Sequence, residues 1–425
     1  MSAVSSTAVL NRAALQRRSL KVLAFSQVLS GAGLAAGVTV GALLAEDMLG
    51  STELSGLPAG LFTLGSAGAA LLVGRISQRS GRRPGLALGY SAGAVGGAGV
   101  TLAAVLDNPA LLLLSLLVYG SGTATNLQAR YAGADLADPD RRGAAISTVL
   151  VATTVGAVAG PNLVPITGRI AVDTGIPALA GPFVLAAVAY ALAAIALTTL
   201  LRPDPLLTAR LIAEQDARAV EVRRAQAPGG ETLTAPAADD IRSLRLGAAA
   251  MIVTQIVMVA IMTMTPVHMR DHGHGLGATG LVIAVHIAGM YLPSPITGRL
   301  ADRYGSRPVI AAGGISLLAA GLVAASAPAE SVGLLAVALG LLGLGWNLGL
   351  LGGTTLVTNA VSLAGRARTQ GKVDLGVALA GAGGGLVSGL VVATTSYAAL
   401  AIAGGVVALA ILPATLRASR QAGRS

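Results

Sequence analysis

The chain contains no cysteine, which excludes a disulfide framework and any thiolate metal site. Charge is scarce. Only 11% of residues are Asp, Glu, Lys or Arg, against about 25% in soluble domains, so water is not the main solvent. Aromatic residues make up 3%, with a single tryptophan. Four histidines are present, and none has metal-site spacing. His268, His272 and His274 cluster in what reads as a loop, open to solvated side chains or weak metal binding. Phosphate-loop spacing, a GxGxxG turn after a strand and metal-ligand helices are all missing. The expectation is therefore a non-enzyme without a cofactor, with any energy drawn from an ion gradient, a proton gradient first.

Long apolar runs dominate what is there. Hydrophobic residues are 54% of 425, and the mean hydropathy is +0.74. A membrane span needs about 20 mostly apolar residues. Twelve runs meet that length, near 22–45, 55–74, 84–106, 109–130, 144–166, 180–201, 246–268, 277–297, 308–327, 331–355, 373–394 and 396–416. The first is too long for a cleavable signal peptide, whose apolar core has about 7–15 residues. The 57 glycines suit helices that pack closely in lipid. Pro161, Pro266 and Pro293 inside spans are tolerated in a bundle, where neighbours satisfy the freed backbone.

The net charge of +10 would suit a nucleic-acid binder, but its placement argues otherwise. With the N-terminus inside, inner loops carry Arg75, Arg79, Arg82, Arg83, Arg141, Arg142, Arg299, Arg303, Arg307, Arg366, Arg368 and Lys372. Outer loops carry only Arg169 and Arg270, with Glu46, Asp47, Glu53, Asp107, Asp173, Asp271 and Glu330. This is the positive-inside pattern of a multi-pass protein of the cytoplasmic (inner) membrane, both termini cytoplasmic. Its partners are the lipid bilayer and a small molecule, with no nucleic acid. The expected domains are a six-helix bundle over 1–201, a cytoplasmic loop over 202–245 and a second six-helix bundle over 246–425. Residues 205–225 read as an interfacial helix, and Pro228, Gly229 and Gly230 as a flexible tether.

Two segments repeat. GRISQRSGRRPGLALG begins at Gly74 and GRLADRYGSRPVIAAG at Gly298, each between the second and third spans of its half. Both resemble the cytoplasmic loop signature of the major facilitator superfamily. The first copy carries it at Gly74, Ile76, Arg79, Gly81, Arg82 and Arg83, with Gln78 where the family has Asp. The second keeps Gly298, Asp302, Arg303, Gly305 and Arg307. The resemblance implies an all-α membrane protein: twelve transmembrane helices in two pseudo-symmetric six-helix bundles, rocking around a central cavity as a monomer. It implies a cytoplasmic gate of Gly74, Arg75, Arg79, Gly81, Arg82, Arg83, Arg130, Asp302, Arg303 and Asp374. At that gate Gln78 reads as a lost partner, and the arginines either gate or merely set topology. Gly156, Gly160 and Pro161 partly match the fifth-helix motif of drug–proton antiporters; small-residue packing explains them equally. The midmembrane arginine of proton-coupled members is replaced by Leu116.

Ionisable groups within spans are functional candidates. His286, mid-span in the eighth run, is either a proton carrier near neutral pH or a neutral interhelical hydrogen-bonder. Asp374 opens the eleventh run. It reads as a gate partner of an arginine such as Arg130, as a helix-start carboxylate, or as a second proton-coupling group. Arg130 can pair or snorkel. Gln27, Asn126, Gln255 and Asn347 fall one in each of the first, fourth, seventh and tenth spans, the cavity-lining helices of the family. With His286, Trp346 and Tyr291 they form the candidate substrate cavity. These groups are mostly neutral, so the expected function is proton-coupled export of small apolar or amphipathic compounds. Uptake or facilitated diffusion of a neutral metabolite, and a non-transporting membrane sensor, are the alternatives.

Overall fold

The structure is a computed structural model that describes residues 2–49, 57–226, 239–328, 330–413 and 415. Glu53, Pro228, Gly229 and Gly230 lie outside the described residues. Among those described, all regular structure is helical. The first group comprises α1 (Ser2–Leu49), α2 (Leu57–Ser80), α3 (Arg82–Val105), α4 (Pro109–Ala134), α5 (Arg142–Asp173) and α6 (Gly181–Leu200). A peripheral helix follows, α7 (Pro205–Gln226). The second group comprises α8 (Ile241–Asp271), α9 (Leu276–Tyr291), α10 (Ser294–Tyr304), α11 (Ser306–Ser326), α12 (Val332–Ala360), α13 (Arg366–Thr394) and α14 (Tyr397–Leu409). Among the described residues, ten helical segments are long and apolar enough to cross a membrane, and α14 adds a shorter apolar one.

Expected and observed helices differ in three places. The first apolar run is only part of α1, whose 48 residues span about 70 Å at 1.5 Å per residue. Its basic end is tied down: Arg12 Nε donates to the Leu136 carbonyl at 3.1 Å and Gln16 Nε2 to that of Gly133 at 2.7 Å. The run at 277–297 is broken into α9 and α10, because Pro293 has no N–H to continue the ladder. Asn347 of α12 donates Nδ2–H to the freed Met290 carbonyl and to Ser294 Oγ, both at 2.7 Å, and so holds the break. Finally, α8 continues to Asp271, so His268 is helical rather than in a loop. It stacks on Tyr397 with ring centroids 4.4 Å apart.

One apolar core lies in the first group around Leu23, Leu86, Leu112 and Phe183; the other, around Met251, Leu339, Leu342 and Leu351 of the second group, also takes in Ile146 and Leu150 of α5. The groups meet chiefly along α2 with α13 and along α5 with α10. Both contacts depend on missing side chains. A Cβ on Gly74 would stand 2.8 Å from the Gly371 Cα, and one on Gly298 would stand 2.8 Å from the Ser147 Cβ. Bulk at either position would part the helices.

Candidate functional site

The hydrogen bonds joining the two groups cluster at one end of the molecule, where α2, α4, α10 and α12 finish and α5 and α13 begin. This is the end rich in arginine. Helices leave their first N–H groups without partners, and a side chain usually caps them. Asn108, Asp240, Ser331 and Ser396 do this for α4, α8, α12 and α14. The residues that start α5 and α13, Arg141 and Gly365, make no such bond. Each of these helices is capped from the opposite group instead.

Asp302 of α10 accepts from the Gly143 N–H at 2.7 Å and the Ala144 N–H at 2.8 Å, one to each carboxylate oxygen. Its negative charge also sits on the positive end of the α5 dipole. At the equivalent place Gln78 of α2 accepts from the Arg368 N–H at 3.2 Å through Oε1. It also donates Nε2–H to the Ala364 carbonyl at 2.6 Å. The expectation that Gln78 forfeits its partner is therefore corrected: the amide crosses between the groups and caps α13. Gly81 and Gly305 turn the chain midway through each copy with φ of 97° and 86°, a left-handed geometry that side chains resist. A Cβ on Gly81 would also meet the Asp204 carboxylate, which accepts from the Arg83 N–H at 2.7 Å.

Two ion pairs lie under the clasps. Arg82 and Asp135, both almost fully buried, meet at 2.7 Å, and Arg82 Nη2 reaches across to Gln370 Oε1 at 2.6 Å. Arg130 of α4 meets Asp374 of α13 at 2.7 Å, with side chains 0% and 6% exposed. Arg130 does not snorkel. It donates further to Thr354 Oγ1 at 3.0 Å and to the Leu127 carbonyl, and its guanidinium lies 4.3 Å from the Tyr131 ring centre. Tyr131 also donates to Asp374 Oδ1 at 3.1 Å. The other carboxylate oxygen, Oδ2, is buried and has no hydrogen-bond partner among the described residues. By contrast Arg75, Arg79 and Arg303 are exposed. They take no part in these bonds, and Arg303 only covers its neighbour Tyr304.

Asp374 is a wall residue of a cavity of about 190 Å³ between the two groups. Its polar walls are Thr63 and Ser66 of α2, Thr123 of α4, Gln255 of α8 and Asp374; Phe62, Leu127, Val259 and Val377 supply apolar wall. Gln255 Oε1 accepts from Trp346 Nε1 at 2.7 Å, and Trp346 meets Tyr291 edge-on at 5.8 Å. The structure thus brings Gln255, Trp346, Tyr291 and Asp374 to one region.

Other candidates lie elsewhere. Gln27 and Asn126 are 0% and 1% exposed and line no part of this cavity. Gln27 donates to the Asn126 carbonyl and to Thr153 Oγ1, both at 3.0 Å, and accepts from the Tyr90 hydroxyl at 2.6 Å. Asn126 donates to Ser30 at 2.8 Å. The network belongs to α1, α3, α4 and α5 and locks the first group internally. His286 is likewise away from the cavity. Its Nδ1 lies 2.9 Å from the Leu339 carbonyl, which only accepts, so Nδ1 carries the proton. That bond joins α9 to α12. Asn347 holds the α9/α10 break. Gly156 of α5 packs on α1, where a Cβ would meet the Gly31 Cα at 2.8 Å. Gly160 and Pro161 follow in the same helix, the Pro161 side chain lying outside the described residues. Asp135, Gln370 and Tyr131 escaped the sequence reading. The four-residue spacing of Arg366, Gln370 and Asp374 places them on one helix face and was the available signal.

This architecture has many relatives. The family model of the major facilitator superfamily matches residues 23–275 and 246–424. The Bacillus subtilis MFS-type transporter YdeG is 54% identical over 401 residues, covering 94% of this chain and 91% of that one. The riboflavin transporter RfnT of Brucella anthropi is 31% identical over 360 residues, 84% of this chain and 85% of that one. The human organic anion transporter MFSD10 superposes with a TM-score of 0.75 at 18% identity, covering 94% of this chain and 99% of that one. The proton:xylose symporter XylE gives 0.73 at 16%, covering 95% of each. With its paired loop signatures, its two helix groups and these matches along nearly its whole length, the chain belongs to the major facilitator superfamily of membrane transporters.

Proposed function

We propose that this protein is a proton-coupled secondary transporter, working by alternating access, that exports small uncharged or amphipathic compounds. It lies in the cytoplasmic membrane with its arginine-rich end inside, as the positive-inside rule directs. The observation that carries the reading is the Arg130–Asp374 pair, which joins the halves and shares a residue with the cavity wall. Opening the inner end requires that pair to part. A proton on Asp374 removes the charge that holds Arg130, so protonation and opening become one event. Removing a partner from a buried pair is costly, about 3–5 kcal/mol, because an uncompensated charge remains. The proton avoids that cost by neutralising the carboxylate as the arginine leaves. His286 lies off the cavity wall and within one half, with Nδ1 on the Leu339 carbonyl and Nε2 buried without a partner among the described residues, so we assign this step to Asp374, which joins the halves.

The cavity walls are mostly apolar, and their one ion pair is internally balanced, which suits an uncharged substrate. The relative named for riboflavin, an uncharged amphipathic molecule, supports that class. It also supports a second reading, uptake of a neutral metabolite by the same machinery. The test uses protein reconstituted in liposomes with an imposed pH gradient and a panel of uncharged amphipathic compounds including riboflavin. Expected is flux that follows the gradient, is lost in Asp374→Asn and persists in His286→Ala. Flux indifferent to the gradient, or lost only in the histidine variant, overturns the assignment. The sign of the flux relative to the gradient decides export against uptake.

A further inference from the structure

One polar group of the cavity wall has a fixed direction. Trp346 of α12 donates from Nε1 to Gln255 Oε1 of α8 at 2.7 Å. An indole N–H only donates, so the Gln255 oxygen must face it and the amide nitrogen takes the other end of the group. That nitrogen, Nε2, donates to none of the described residues. Its side chain is half-buried in the cavity wall. The wall leaves room for it: a Cβ on Gly381 of α13, also a wall residue, would stand 3.1 Å from Nε2. Trp346 is itself 2% exposed, with Tyr291 edge-on against it at 5.8 Å, so the indole has little room to turn. Gln255, Tyr291 and Trp346 all belong to the second group, so the direction of the amide is set within one half and travels with it.

The groups around Nε2 point to what it binds. The hydroxyls of the wall, such as that of Ser66, both donate and accept. Gln255 Nε2 donates and cannot accept. It carries no charge, and the nearby Arg130–Asp374 pair is balanced, so a bound anion would lie in the wall without a counter-charge. A carbonyl oxygen on an uncharged molecule needs only the donor. Phe62, Leu127 and Val377 offer apolar wall to the rest of such a molecule, in a space of about 190 Å³. Gly381 follows Asp374 by two helical turns, about 10 Å along α13, so this donor stands apart from the carboxylate assigned to the proton.

We propose that Gln255 is the specificity-determining residue of the cavity: its Nε2 donates to a carbonyl-type oxygen on an uncharged, mostly apolar substrate. Trp346 is the positioning residue that keeps this end of the amide turned to the ligand. The proposal rests on the transporter reading of the same cavity and deepens it. A molecule of the same shape without the oxygen leaves Nε2 stripped of water and unpaired, and the site rejects it for that reason. Without the indole N–H the amide is free to turn over and present its own oxygen, which repels that of the substrate.

The test is binding to the protein in nanodiscs, by equilibrium dialysis of tritiated probes, with empty nanodiscs giving the share taken by lipid. The probes are acetophenone and α-methylstyrene, in which a methylene group replaces the ketone oxygen at nearly the same shape. Expected is saturable binding with the ketone about tenfold tighter. Gln255→Leu should bring the two within about twofold, by weakening the ketone alone. Trp346→Phe keeps Gln255 and an aromatic ring but removes the orienting donor, so the ratio should fall to about threefold. A merely structural tryptophan would weaken both probes alike and leave the ratio unchanged. Melting temperatures show that the variants are folded. Equal binding of the two probes to wild type, no saturable binding of the ketone, or the wild-type ratio in Gln255→Leu overturns the proposal, and the wild-type ratio in Trp346→Phe overturns the positioning role. Asp374→Asn should lose gradient-driven flux and keep the ratio; a ratio lost there would overturn the assignment to Gln255. Ketone preference without gradient-driven flux in the wild type would sink the coupling reading and leave this contact. Gradient-driven flux with equal binding of the probes would do the reverse.

Discussion

The two clasps at the arginine-rich end do the same job with different chemistry. On one side Asp302 places a full negative charge on the first N–H groups of α5, through two bonds of 2.7 and 2.8 Å. On the other, Gln78 takes one N–H of α13 at 3.2 Å and returns a donor to the Ala364 carbonyl at 2.6 Å. Both borrowing helices lack a cap of their own. The difference teaches that the requirement at this place is satisfaction of a helix N-terminus from the opposite half. Charge strengthens the clasp without being needed for it. It also predicts unequal grip, because bonds to an ionised group are worth about 1.5–3 kcal/mol each and neutral ones about 1.

The comparison breaks first at Asp302. Asp302→Ala should cost the closed state of the arginine-rich end about 3 kcal/mol, roughly two orders of magnitude in the closed-to-open ratio. The chain has no cysteine, so nitroxides at Arg79→Cys and Arg303→Cys, exposed and one in each half, read that ratio from their distance distribution. A short-distance population that survives Asp302→Ala would sink the idea that this carboxylate holds the halves. Next comes the close approach itself. Gly74→Ala puts a Cβ 2.8 Å from the Gly371 Cα, an overpacking of about 1–3 kcal/mol that exists only when the arginine-rich end is shut. The same labels should show opening, with less loss of melting temperature than a core substitution gives. The weaker clasp comes third. Gln78→Ala removes two neutral bonds and should shift the ratio by about 2 kcal/mol, roughly thirtyfold, less than Asp302→Ala. Equal effects from the two would show that the charge of Asp302 contributes nothing.

Much of this arrangement was written in the sequence, and the part that was not has a physical reason. Twelve apolar runs and the arginine asymmetry need only composition along the chain, and the paired loops need only local identity. The pairing of Asp374 with Arg130 was legible too, because few charges lie near span ends and each buried one requires a counter-charge. Gln78 was misread because a sequence shows residue type and not the backbone groups waiting opposite. Gln27 and Asn126 sat on the right helices but on the wrong faces. A polar residue in a span hydrogen-bonds whichever neighbour is nearest, and helix rotation decides whether that is a cavity or another helix. His286 was ambiguous for the same reason: its Nδ1 bonds the Leu339 carbonyl of α12, and its Nε2 is buried without a partner among the described residues.

The smallest effect tests whether borrowed and self-made caps differ in kind. Asp240 caps α8 within its own half, accepting from the Ser243 N–H at 3.0 Å. The Ser243 hydroxyl and N–H hold its carboxyl below the usual carboxylate range. A depressed value means that the cap stabilises the fold fully above the usual range and loses that contribution as pH falls through the lowered value. The group is almost fully solvent-exposed, so screening keeps the pH-dependent part small. Asp240→Ala should cost about 0.5–1 kcal/mol of stability, at the low end of cap substitutions. This bond lies inside one half, so parting of the clasps should leave it intact. The melting temperature should therefore drop slightly at neutral pH and match wild type in acid, while the nitroxide distances stay unchanged. A shift in the distances would show that α8 reorganises its start as the halves rock, and that the gate reaches beyond the two clasps.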